Sequence, residues 1–198
     1  MTKSAQESAL SAGAVASPAA GSDRPLMPPA YTTRRFWLIS VAILLVDFVT
    51  KALAVEHLAL RGVAHPVIGD VVRFTLAYNP GAAFGMSLGP ASRWIFAVLS
   101  VVIVVVLWRA TSDLTRISRL AAFGVPVVIG GAIGNLLDRI RLREGVVDFI
   151  DIGFGDVRFW TFNVADSAVT VGAICLVIAL WKHDKEQEAS GPHGATLS

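Results

Sequence analysis

Cysteine is all but missing from this chain. Cys175 stands alone, so neither an intrachain disulfide nor a cysteine-built metal site can form. Histidine is sparse and scattered, at His57, His65, His183 and His193, and none of the four falls in a helical zinc-binding spacing. Charge is thin as well: 16% of the residues are charged, where an ordinary soluble domain carries about 25%. The net charge of +2 offers no basic field, which argues against a nucleic-acid partner. Residues 1–34 are rich in Ala, Ser, Gly and Pro. They lack both apolar periodicity and the apolar core of a secretory leader, and are expected to form a disordered tail.

What remains is apolar: 54% of the 198 residues are hydrophobic and the mean hydropathy is +0.62, enough for one membrane domain. Four stretches, about 36–58, 92–109, 120–138 and 162–181, read as transmembrane helices, so the fold expected is an all-α membrane protein. The uninterrupted run Trp94 to Trp108 reaches only about 22 Å as a helix, so that span has to borrow flanking residues. Gly130 and Gly134, with Gly131 between them, predict a close helix contact in the third span. Residues 62–88 change character. Their β-branched and aromatic enrichment, bounded by Gly and Pro, predicts short strands outside the membrane, with a turn at Asn79-Pro80-Gly81. Residues 110–119 read as a short polar loop, 139–160 as a polar glycine-containing connection, and 182–198 as a flexible tail. Nine Lys/Arg fall on the side of the termini against seven on the other, and Arg34-Arg35 precede the first span, which favours cytoplasmic termini.

The chemistry lies in the few charges placed near hydrocarbon, where each needs a partner or a function. Asp47 and Lys51 are four apart and share a helix face. They form either an ion pair that lets the helix tolerate its charges or one wall of an internal polar cavity. Asn79 either makes its turn or offers an amide to a bound peptide. Asn163 and Asp166 imitate a capping box at the start of the fourth helix. Asp138 ends the third span, where the helix dipole disfavours an acid, and Arg141 is within reach at i+3. Asp148 sits in the apolar run VVDFI, where burial would raise its pKa, and Asp151 is expected to be a surface acid.

Serine chemistry has one formal match, Gly85-Met86-Ser87-Leu88-Gly89, but no histidine follows it before the C-terminal tail. Paired carboxylates suit peptide hydrolysis without a metal, and no cofactor is expected. Asp138, Asp148 and Asp166 compete for the two places, with Asp166 the surest by position. A proton-coupled carrier would instead need acids spread through the membrane depth, and a purely structural bundle would leave Asp138 and Asp148 without partner logic.

Five blocks in order give a more specific signal: Asp47-Phe-Val-Thr-Lys51, Asn79-Pro-Gly-Ala-Ala-Phe84, Gly130-Gly-Ala-Ile-Gly-Asn-Leu-Leu-Asp-Arg139, Val146-Val-Asp-Phe-Ile150 and Phe162-Asn-Val-Ala-Asp-Ser167. Over roughly 35–181 the chain resembles the lipoprotein signal peptidases (signal peptidase II), bacterial membrane aspartic peptidases. The resemblance implies Asp148 and Asp166 as the catalytic dyad. It implies that Asp47, Lys51, Asn79, Gly81, Asn135, Asp138, Arg139, Asn163 and Ala165 shape the site. It further implies four transmembrane helices, a small extracytoplasmic β-rich cradle, and a site toward the outer face of the bacterial cytoplasmic membrane. The implied substrates are diacylglyceryl prolipoproteins, cut just before the lipidated cysteine among membrane lipids, and the implied inhibitor is globomycin.

Overall fold

The computed structural model describes residues 33–58, 60–83, 86–87, 89 and 91–190. Four helices are long and apolar enough to cross a membrane: α1 (Thr33–His57), α2 (Ser92–Ile117), α3 (Arg119–Arg141) and α4 (Val164–Ser190). Six strands accompany them: β1 (Ala64–Ile68), β2 (Val72–Asn79), β3 (Ala82–Ala83), β4 (Met86–Ser87), β5 (Val146–Phe154) and β6 (Val157–Arg158).

The helices differ in how much of them the protein covers. In α3, 72% of the apolar window is buried, against 22%, 11% and 22% in α1, α2 and α4, so α3 is the axis around which the other three pack. Its composition explains this. Gly130 lies against the Ser40 carbonyl and Ile43 of α1, and a methyl at Gly131 would stand 2.5 Å from the Ala165 carbonyl of α4. Backbones approach where no side chain separates them, as expected when lipid gives helices no hydrophobic reason to associate. Pro126 sits inside α3, and Ser40 Oγ donates to its carbonyl at 3.0 Å. The outer faces of α1 and α2 display bare Val, Leu and Ile, suited to acyl chains.

Two helices outrun the sequence reading. α2 continues through the supposed loop 110–119 to Ile117, because Thr111 and Thr115 donate back to the Leu107 and Thr111 carbonyls and so stay satisfied on the helix. Only Ser118 separates α2 from α3. It is extended, and its hydroxyl accepts from Ala121 N at 3.1 Å as an N-cap. α4 continues to Ser190, past the expected start of a tail at 182, supported by Lys185 over the Trp181 ring and a His183–Gln187 contact. Residues 1–32 and 191–198, where disordered tails were expected, lie outside the described residues.

The strands gather at the end of the bundle where α1 and α3 finish and α2 and α4 begin. Their antiparallel order is β1-β2-β5-β6, with β3 and β4 paired separately. The third member, β5, lies in the stretch that read merely as a polar connection. Val146, Val147, Asp148 and Phe149 are all buried, because its first half is covered on both faces. Val147 and Phe149 join Ala54, Leu58 and Leu76 in a core that seats the sheet on the end of α1. Period-two alternation sends Asp148, which pairs with Ala77 of β2, to the opposite face.

Candidate active site

The site begins with Lys51. Its ammonium lies 2.8 Å from Asp47 Oδ2 and 2.9 Å from Asp138 Oδ2, and donates to Asn135 Oδ1 at 2.8 Å. Three N–H groups meet three acceptors, as a buried ammonium requires. The Asp47–Lys51 pair therefore does more than neutralise α1: it ties α1 to α3. Asp47 Oδ1 also accepts from the Ala165 N–H at 2.8 Å, which ties α1 to the first turn of α4. Gly134 makes room for this, since a methyl there would stand 2.6 Å from Asp47 Oδ2. Asp138 has a weaker contact to Arg141 at 3.4 Å, the i+3 partner expected, and accepts from Val147 N at 3.4 Å.

Two asparagines carry the order onward. With Lys51 donating to its Oδ1, the Asn135 amide must turn its Nδ2 outward, and this donates to Asp166 Oδ1 at 2.6 Å. Asn163 is fully buried, and its Nδ2 serves Asp148 Oδ1 at 2.7 Å, Asn135 Oδ1 at 3.1 Å and the Val147 carbonyl at 3.2 Å. The capping box read from the sequence is present. Asp166 N donates to Asn163 Oδ1 at 2.9 Å, and Asn163 N donates to Asp166 Oδ2 at 3.2 Å. Capping and site-building are not alternatives here, because the cap is what aims the Asp166 carboxylate.

Asp148 and Asp166 interact electrostatically, and among the described residues no ion pair to either is present. Burial first, and the Asp166 charge second, push the Asp148 carboxyl up to about 7, while hydrogen bonds from Asn163 and Asn79 and the Lys51 charge act the other way. Asn79 makes the turn expected of it, its Oδ1 accepting from Gly81 N at 3.0 Å, and its side chain also bonds Asp148, a contact the sequence reading did not anticipate. Gly81 adopts φ +112°, and a side chain there would collide with the Ser92–Arg93 backbone.

Arg139 is 9% exposed and interacts electrostatically with Asp166, Asp148 and Asp138. Its Nη1 donates to the Asn135 carbonyl at 3.1 Å, and its buried Nε has no protein partner among the described residues. It opens on a cavity of about 240 Å³ between α2, α3 and α4, whose polar end is Asn135, Arg139 and Asp166 and whose apolar wall includes Phe96, Leu99 and Val169. A larger groove of about 440 Å³ lies between the start of α1 and the end of α2, at Phe36, Trp37 and Trp108. Among the described residues no ionisable side chain lines it.

One expectation about the acids fails. Asp151 is not a surface acid: it is 6% exposed, 3.0 Å from Arg73 and 2.9 Å from Arg158, with Thr75 donating at 3.2 Å. Burial opposes its charge, but the hydrogen bonds from Arg158 and Arg73 prevail and hold its carboxyl below the usual range. Reading 146–154 as a strand would have placed Asp151 on the face opposite Asp148. Two arginines in the neighbouring strands β2 and β6 were the available signal.

Comparison with known proteins identifies the family. The family model of signal peptidase (SPase) II matches residues 39–182. The chain is 40% identical over 146 residues to a lipoprotein signal peptidase of Geobacillus kaustophilus, covering 74% of this chain and 92% of that one. It is 42% identical over 147 residues to one of Coxiella burnetii, covering 72% and 87%. A solved structure described as a bacterial membrane enzyme superposes with a TM-score of 0.69 at 30% identity, covering 79% of this chain and 93% of that one. With the family model spanning all four helices and the sheet that carries Asp148, the chain belongs to the signal peptidase II family and is a multi-pass membrane peptidase.

Proposed function

We propose that the chain is an aspartic endopeptidase that removes signal peptides from diacylglyceryl-modified prolipoproteins, cutting just before the lipidated cysteine, with Asp148 and Asp166 as its catalytic pair. One observation carries this reading. Asn163 holds both carboxylates at once, its amide on Asp148 and its backbone N–H on Asp166, while among the described residues no cation is bonded to either. With burial and the Asp166 charge pushing the Asp148 carboxyl up to about 7, a proton is available at the site near neutral pH. The ionised member takes a proton from water as the water oxygen attacks the scissile carbonyl carbon, and the protonated member hydrogen-bonds the carbonyl oxygen. In the collapse of the tetrahedral species the C–N bond breaks, and the leaving nitrogen takes a proton from the acid.

The remaining site residues support this chemistry. Lys51, Asp47 and Asp138 form a saturated ionic base under Asn135, and Ala165 is anchored by Asp47. Asn79 and Gly81 shape the turn beside Asp148. The cavity at Arg139 suits a substrate with an apolar segment and a polar backbone: Phe96, Leu99 and Val169 meet the former, and the unpartnered Nε–H meets a carbonyl. The relatives named lipoprotein signal peptidases support the substrate class. In this reading the termini are cytoplasmic, the sheet end faces outward from the bacterial cytoplasmic membrane, and globomycin inhibits. The test is incubation of the purified enzyme with a diacylglyceryl precursor and with its unmodified twin. Cleavage of the lipidated precursor alone is expected, and equal cleavage of both would contradict the lipid requirement.

A further inference from the structure

Arg93 is absent from every motif read above, yet it reaches the end of the helix that carries Asp138 and Arg139. The last carbonyls of a helix have no intrahelical donor. In α3, the Asp138 carbonyl is taken by the Leu142 N–H at 2.8 Å. The next two are taken by one side chain: Arg93 Nε donates to the Arg139 carbonyl at 2.5 Å, and Arg93 Nη2 donates to the Ile140 carbonyl at 3.3 Å. The planar fork suits two successive carbonyls, and a cation suits a helix C-terminus. Arg93 is itself braced. Its guanidinium lies over the Trp94 ring at 4.8 Å, and the Gly81 turn sits against the Ser92–Arg93 backbone with no room for a methyl.

The need for this brace is visible in Arg139. Its side chain donates to the Asn135 carbonyl, and its buried Nε lacks a protein partner among the described residues, so the aim of its guanidinium depends on the backbone that bears it. We propose that Arg93 is a positioning residue for the peptidase reaction: by clamping the last turn of α3, it holds the Arg139 cation at the carboxylate pair. The proposal rests on the reading of Asp148 and Asp166 as that pair.

The charged groups facing Asp148 are Asp166 from α4, Lys51 from α1 and Arg139 from α3, with Asn163 and Asn79 as neutral donors. Release of the last turn of α3 withdraws the one cation whose aim depends on that turn. The pair then binds its proton more readily, and the acid limb of the pH–rate profile moves to higher pH.

The experiment compares wild type, Arg93→Gln and Arg93→Lys as full chains in detergent, with a diacylglyceryl precursor peptide as substrate. Arg93→Gln is expected to lower kcat by about tenfold or more with KM nearly unchanged, and to raise the acid-limb midpoint by roughly half a unit or more. Arg93→Lys keeps the charge but serves one carbonyl at a time, so it should recover much of kcat and return the midpoint toward wild type. A lowered melting temperature with kcat per folded enzyme and midpoint unchanged in either variant would reduce Arg93 to a structural stitch and overturn the proposal. A rise in KM alone would overturn it by placing Arg93 against substrate. If Arg93→Gln does not fold, Arg93→Lys decides: a midpoint still above wild type with kcat per folded enzyme reduced supports the clamp, and both at wild-type values overturn it. Asp148→Asn and Asp166→Asn run alongside: their full activity would sink the carboxylate-pair reading, whatever Arg93 does.

Discussion

Asp148 and Asp151 stand three residues apart on one strand, both buried, and their surroundings drive them in opposite directions. Asp148 faces the helix bundle, where burial and a second carboxylate push it up to about 7 against the opposing hydrogen bonds of neutral amides. Asp151 faces Arg73 and Arg158, which hold it below the usual carboxylate range. Burial alone therefore makes neither acid reactive. What separates them is which partners the opposite faces of the sheet supply: a cation in contact fixes the charge and ends the chemistry, whereas amides orient a carboxylate and leave its proton negotiable. Asp138 repeats the lesson inside the bundle. It is as buried as Asp148, but the Lys51 ammonium at 2.9 Å occupies it.

The strongest way to break this contrast is to remove the proton traffic. Asp148→Asn and Asp166→Asn, each still inserted in the membrane, should lose roughly 10³-fold or more of precursor cleavage, measured by single-turnover assay. Retention of activity in either would remove it from the pair. Asp138→Asn, which disturbs the base under Asn135 and the contacts to Arg141 and Val147 N, should impair turnover by about tenfold to a hundredfold while leaving a measurable rate. A loss as deep as that of the other two would require ranking the three acids again.

Asp151→Asn should leave kcat near wild type and lower stability by about 1–3 kcal/mol, because Arg73 and Arg158 lose their shared carboxylate. A thermal melt beside the cleavage assay separates the two effects. The smallest expected effect concerns pH and has opposite signs for the two acids. The folded pKa of Asp148 is raised, so the folded state binds more protons than the unfolded one between 3.8 and about 7, and its contribution to stability falls as pH rises through that window. Asp148→Asn should therefore melt higher than wild type at pH 8, and the gap should narrow toward pH 4. For Asp151, whose folded pKa is lowered, the contribution is present above 3.8 and is lost as pH falls through the folded value. Its Asn variant should differ most from wild type at neutral pH and least in acid.

How much of this was legible in the sequence follows from the range of the interactions. Spans, the Asp47–Lys51 pair, the Asn163–Asp166 cap and the Gly130–Gly134 contact face all depend on residues within one or two helical turns, and each is present. The true end of α2 was missed because Thr111 and Thr115 look like loop residues until their hydroxyls turn back onto the helix. β5 was missed because a strand buried on both faces carries no clean alternation. Arg93 was missed because its partners lie 46 and 47 residues away.

The chain by itself therefore determined a four-helix membrane body, the acids near its ends and the local devices that orient them, since hydropathy and i to i+4 spacing act along the sequence. Which acid stays neutralised and which stays poised was decided only by the tertiary structure. That outcome depends on whether a lysine from α1, an arginine from β2 or an asparagine preceding α4 arrives beside the carboxylate, and a contact between separate elements has no period to read.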